Sequence, residues 1–243
     1  MARNLSLRLL DRFGLFDDQG PVPVPAGSER VLALLAVDGR TLGRVRLAGA
    51  LWPHTTDRRA QACLRSALRR LPARARAAVS VDPAVVALSA GVLVDMRAAQ
   101  QLAHRLIAPA GRPTEADLDA ATIATLTSEL LPDWYEDWVV SAAEGWRQLR
   151  MHALEALADH LAASGRYGEA IEAALAAVGA DPLRESARRA LIRVHLAEGN
   201  RSEALREFDR YRRLLGTELG LQPTAALHRL VDLPTGPVKI RSA

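Results

Sequence analysis

The sequence predicts a mainly α-helical chain in two parts: a small α+β module at the N-terminus, then a longer all-α region built from repeated helix pairs. Three observations carry this. Short runs of alternating apolar and polar residues lie on both sides of three helical segments before residue 95. From Met96 onward the spacing of apolar residues is helical throughout. Aromatics are only 4% of the 243 residues, so the cores must be built from Ala, Leu and Val, which suits helix packing better than sheet sandwiches.

Each element has a local reason. Leu5, Leu7 and Leu9 alternate with Ser6 and Arg8, and turn residues at 17–20 with a PVPVP run extend this strand to a β-meander ending near Pro25. Ser28 is placed to cap a helix over 29–37, which Asp38 and Gly39 end. A second helix fits 43–52 and stops at Pro53. A third begins near Asp57, with Thr55 or Thr56 at its cap, and Pro72 ends it near Leu71. Short strands follow at 79–81, 85–88 and 92–94, around turns at Asp82-Pro83 and 89–91. Strands, three helices and a hairpin in this order make a winged helix-turn-helix over residues 1–95.

Residues 96–243 read as tetratricopeptide-like helices. Breaks fall at 109–113 and at Leu131-Pro132, and Thr114 to Asp117 resembles a capping box. Ala156, Leu157, Gly165, Glu169 and Ala170 recur 34 positions later as Ala190, Leu191, Gly199, Glu203 and Ala204. That period and the Gly-x-x-x-Glu-Ala core match tetratricopeptide helix pairs, whose small residues let helices approach closely. Such pairs bury their faces only by stacking, so an array is expected from Tyr135 onward. Trp134, Trp138 and Trp146 in this stretch read as packing residues rather than a ligand stack. Glu203 and Glu207 are expected to pair with Arg206 and Arg210 at i, i+4 spacing.

The third helix carries the functional signal. Ala60, Leu64, Ala67, Leu68 and Leu71 form one stripe that a small core could bury. Arg58, Ala62, Arg65 and Arg69 share the opposite side, with Gln61 and Ser66 on its flanks. A helix buried on one side and lined with spaced guanidinium groups on the other suits a DNA major groove, and equally a plain solvated face. Charge distribution favours the first. Residues 1–95 hold 14 Arg against 8 acidic residues, and seven of those Arg lie between Arg58 and Arg76; the remainder of the chain is net acidic. Arg44, Arg46, Arg70, Arg74 and Arg76 read as backbone clamps or exposed residues.

Other chemistries find little support. The single Lys, Lys239, lies in no phosphate-binding loop, and neither a G-x-S-x-G elbow nor a G-x-G-x-x-G loop occurs. No catalytic residue is assigned. His54, His104, His152, His160, His195 and His228 show no ligand spacing, so neither a metal nor another cofactor is expected. Cys63, the one cysteine, excludes an intrachain disulfide and fits a reducing cytosol as a half-buried filler. The early apolar run 31–37 is too short for a membrane span, and charged residues interrupt the N-terminus, so a soluble cytoplasmic protein without membrane contact is expected.

Two modules in this order resemble a known family. LWPHTTDRRAQACLRSALRRL is similar to the helix-turn-helix of the antibiotic regulatory protein (SARP) family. ELLPDWYEDW, WRQLRMHALEALA, DPLRESARRALIRVHLAEGN and EALREFDRYRRLLGTELGLQPT resemble that family's bacterial transcriptional activator domain. The resemblance covers about 5–230. It implies an activator of biosynthetic genes that binds direct repeats in promoter DNA and recruits RNA polymerase. By the same resemblance Arg58, Arg65, Ser66 and Arg69 match the recognition-helix face; with Arg59, Gln61, Ala62 and Arg70 they are the candidate DNA-contacting residues. Trp52, Pro53, His54, Thr55 and Thr56 match a turn that can touch polymerase or its sigma factor.

This chain departs from the family pattern at three points. Cys63 stands where Asn is frequent, Pro72 shortens the basic helix, and residues 77–94 contain no Lys or Arg. Asp82 at a wing tip would repel phosphate, so wing insertion into the minor groove is disfavoured. Self-association of protomers on DNA would then supply the missing affinity. The competing reading is a tetratricopeptide-type peptide-binding scaffold whose winged helix mediates protein contacts; an enzyme ranks last.

Overall fold

A computed structural model describes residues 4–108 and 113–232. Most of the expected break at 109–113, and Lys239, lie outside the described residues. The chain forms two compact units: residues 1–102 with 128–149, and residues 103–127 with 150–243.

In the first unit, β1 (Leu5–Arg8), β2 (Gly14–Asp17) and β3 (Gly20–Pro21) form the antiparallel meander that the alternation predicts. Leu5 and Leu7 point into the core, and Ser6 and Arg8 face out. Helix α1 (Ala26–Asp38) buries an unbroken run from Val31 to Ala36, as a helix covered on several sides must. It ends where Gly39 turns left-handed at φ 75° and donates its N–H to Leu35 O at 3.2 Å. Ser28 is not its cap. The helix starts at Ala26, three residues earlier than expected, and the buried Ser28 Oγ donates instead to Ala67 O at 2.7 Å.

The short strand β4 (Leu42–Gly43) precedes α2 (Arg44–Leu51) and α3 (Asp57–Arg69). Thr56 occupies the N-cap position of α3 without a side-chain cap bond. The three strands expected after the helices are β5 (Val79–Val81), β6 (Val85–Leu88) and β7 (Val92–Val94). Only β5 and β6 form the hairpin, with β4 on its far edge; β7 leaves it and pairs parallel to β1, Leu5 facing Val92 and Leu7 facing Val94. The reason lies in the alternation: Val92 and Val94 are buried while Leu93 is exposed, so β7 closes the same core as β1.

Residues 128–149 complete this unit. Leu131 N–H donates to Leu9 O at 3.0 Å, and the Asp11 carboxylate accepts from Ser128 Oγ at 3.0 Å. Trp146 is buried, its indole N–H donating to Ser128 O at 2.9 Å. Trp134 stacks on Phe13 with centroids 6.0 Å apart, and Trp138 packs against the core of α1–α3. Trp146 is a packing residue as expected; Trp134 and Trp138 also pack, but each is only half-buried.

The second unit holds the ends of α4 (Asp95–Ile107) and α6 (Asp137–Ala163), with α5 (Ala120–Thr127), α7 (Tyr167–Ala180), α8 (Glu185–Glu198), α9 (Arg201–Leu219) and α10 (Ala225–Asp232). The 34-residue repeat maps onto α6–α7 and α8–α9. Gly165 and Gly199 sit at the matching turns with φ 75° and 86°, a conformation side-chain-bearing residues rarely adopt. Ala170 and Ala204, Leu157 and Leu191 are fully buried at equivalent places. The Thr114 capping box forms, and Arg105 binds its Asp117 at 2.7 Å. That guanidinium, with the bonds from Thr114, holds the Asp117 carboxyl down to about 2. Glu203 and Glu207 pair with Arg206 and Arg210 at i, i+3 rather than i, i+4, since the residues four places on are Glu207 and Tyr211. The fold is therefore mainly α, a winged α+β module followed by tetratricopeptide-like helices. Among the described residues no helix is long and apolar enough to cross a membrane.

Candidate nucleic-acid interface

Helix α3 is held by its apolar stripe. Ala60, Leu64 and Ala67 are buried against Val31, Leu34 and Leu35 of α1, Leu47, Ala48 and Leu51 of α2, and Val86 of β6. Leu71, just past the helix, is buried and Leu68 half-buried. Burying such a stripe contributes roughly 1.5–3 kcal/mol per large side chain, enough to fix the helix's rotation about its own axis. The Ser28 bond to Ala67 O ties its C-terminal half to α1.

The opposite face is open. Arg58, Arg59, Ala62, Arg65, Ser66, Arg69 and Arg70 are exposed or nearly so, and Gln61 is half-buried. Among the described residues, none of the five arginine side chains has a carboxylate within ion-pairing distance or makes a hydrogen bond. Arg58, Arg65 and Arg69 follow one side of the helix over about 16 Å at about 1.5 Å per residue. Guanidinium groups left uncompensated in this way can each offer paired N–H donors to phosphate or base-edge acceptors.

The flanking arginines divide. Arg74 binds Asp17, its Nε donating to a carboxylate oxygen at 2.7 Å, so it is structural rather than a free clamp. Arg76 donates to Leu71 O at 3.3 Å, closing the turn after α3. Arg46 stays exposed; the nearby Asp38 carboxyl is pulled below the ordinary range chiefly by Arg40, with Arg46 adding to it. Linear spacing understates Arg44. From the N-terminus of α2 it donates to Asp82 O at 3.3 Å, so a cation stands beside the wing tip that residues 77–94 could not supply. Nothing in the sequence pairs residues 44 and 82; only the β4–β6 ladder brings them together. Asp82 is exposed in the hairpin turn, its N–H donating to Val85 O at 3.0 Å.

The turn between α2 and α3 is built from Trp52 to Thr56. Pro53, His54, Thr55 and Thr56 are exposed. Trp52 is different: it is half-buried, packs on the core and lies 5.9 Å beneath the Arg30 guanidinium. Thr55 folds its hydroxyl back to Trp52 O at 3.1 Å. The first residue of the turn is thus a pivot, and the next four are available surface.

Comparisons with known proteins agree with this architecture. The bacterial transcriptional activator domain family matches residues 94–232, more than half of the chain. The chain is similar to the regulatory protein AfsR of Streptomyces coelicolor, 29% identical over an aligned span of 242 positions that covers 90% of this chain and 24% of that much longer protein. Its fold is similar to Mycobacterium tuberculosis EmbR, solved in complex with a low-affinity phosphopeptide, with a TM-score of 0.74 and 22% identity over 95% of this chain and 64% of that one. The chain spans about a quarter of the length of the curated relative it matches. It belongs to the bacterial transcriptional activator domain family.

Proposed function

We propose that this regulator binds duplex promoter DNA through α3 and activates transcription of biosynthetic genes by recruiting RNA polymerase. In this reading residues 1–95 are the DNA-binding module and 96–243 the activator domain. One observation carries it: the arginines of α3 are exposed and unpaired while the opposite face of the same helix is locked in the core. A solvated surface helix would ordinarily carry both signs of charge, as α9 does here. Arg58, Arg65 and Arg69, with Arg59, Gln61, Ala62, Ser66 and Arg70 around them, enter the major groove, and Arg44 and Arg46 approach the backbone. The exposed turn Pro53 to Thr56 is the candidate contact for polymerase or its sigma factor. Direct repeats would seat two protomers side by side.

Footprinting on the DNA flanking the gene tests this reading. Protected repeats about one helical turn apart (roughly 10–10.5 bp), absent in Arg65→Ala with Arg69→Ala, are expected. Protection that survives the double substitution overturns it.

A further inference from the structure

The first unit contains a cleft of about 820 Å³ beside the helix-turn-helix, a volume suited to a small organic ligand. Its lining is unusual in this aromatic-poor chain. Trp134, Tyr135 and Trp138 stand together there, and the rings of Trp134 and Trp138 meet at 87° with centroids 6.2 Å apart, two walls at right angles. Tyr135 is 83% exposed, which no packing role explains.

The charge of the cleft is one-sided. Its single guanidinium, Arg30, is already engaged: it binds Glu136 at 2.8 Å and donates to Leu51 O at 2.6 Å. Glu29, Asp133 and Asp137 remain, and among the described residues none of them has a cationic partner. Burial alone pushes the Glu29 carboxyl above its ordinary range, a cost that a cation beside it would relieve. The indole N–H of Trp138 is buried and finds no acceptor within the protein.

We propose that this cleft is a binding site for a small organic cation, an ammonium or guanidinium group on an apolar body, held by the Trp134–Trp138 corner and Tyr135 through cation–π contact and by Glu29 and Asp137 through charge. Pro53 and His54 form part of the wall, so a bound cation touches the turn that leads into α3.

Calorimetric titration of the full chain with benzyltrimethylammonium tests the proposal, with 3-phenylpropionate as an anion of similar size. Saturable one-to-one binding of the cation is expected, with Kd below about 1 mM, and no saturable binding of the anion at the same concentrations. Glu29→Gln should weaken the cation roughly fivefold and Tyr135→Ala by a similar factor, with circular dichroism unchanged. If Glu29→Gln perturbs folding, Asp137→Asn carries the same expectation. Absence of saturation, equal binding of the anion, or unaltered affinity in these variants overturns the proposal. So does binding of an arginine-rich peptide without binding of the small cation, which would make the cleft a protein groove.

Discussion

Arginine does two different jobs in the two units, and the contrast says more than its abundance. In the helical unit many of the arginines are matched. Arg166 binds Glu169, Arg184 binds Glu155 at 2.8 Å, Arg193 binds Asp159 at 2.6 Å, and Arg188 binds Glu207 at 2.9 Å with both side chains buried. On α3 no such partner exists for Arg58, Arg59, Arg65, Arg69 or Arg70 among the described residues. Even in the same unit Arg74 is matched, by Asp17. A count of cations cannot separate a stabilising arginine from one left open to a polyanion; the position of the carboxylates can.

The sharpest way to break this comparison is at its most buried pair. Arg188→Ala leaves Glu207 inside the helical unit with only the largely exposed Arg210 beside it, and should lower stability by roughly 2–4 kcal/mol in denaturant titration. Binding to DNA by the folded fraction should be unchanged. A variant as stable as the parent would mean that the buried pair contributes nothing.

Next comes acid. Asp117 titrates near about 2 in the folded chain against an ordinary 3.8, so folding favours its ionised form. Its contribution is complete above about pH 4 and fades as pH falls toward about 2. Because Arg105 is half-exposed, we expect roughly 1–2 kcal/mol, less than the full shift implies. Asp117→Asn should remove that part of the acid dependence, read from unfolding midpoints between about pH 5 and 2. An unchanged profile would contradict the assignment.

The smallest effect is expected at the surface. Arg193→Ala breaks an exposed pair and should change stability by less than about 0.5 kcal/mol. A larger decrease would show that the helical unit's exposed pairs act as a network and not singly.

What the sequence could reveal followed from periodicity. The stripe of α3, the alternation of β1 and the 34-residue repeat with its two left-handed glycines are local patterns, and each is found where spacing puts it. Partners distant in the chain were not legible. Ser28 looks like a cap because it precedes an apolar run; it is a tie to residue 67, 39 positions away. Val92 to Val94 read as part of a hairpin because they follow one, whereas their partner is β1 at the other end of the module. Leu131-Pro132 reads only as a break between helices, and nothing local says that Leu131 returns to Leu9. The candidate site shares this limit. The face of α3 is readable from steps of about 100° per residue, but Arg44 beside Asp82 and the cleft at Trp134 and Glu29 exist only after folding.

The salt dependence of DNA affinity tests the central claim most directly, with a mixed-sequence duplex and anisotropy as the readout. If the unpaired arginines of α3 meet phosphates and base edges, log K falls linearly with log salt for the parent chain. Arg58→Ala, Arg65→Ala and Arg69→Ala combined should flatten that slope by about 0.9 for each phosphate left without its arginine, and weaken binding by roughly 10²-fold or more. Arg193→Ala with Arg206→Ala, which removes positive charge from matched positions, should leave the slope unaltered. A slope that the α3 triple variant shares with the parent would contradict the account.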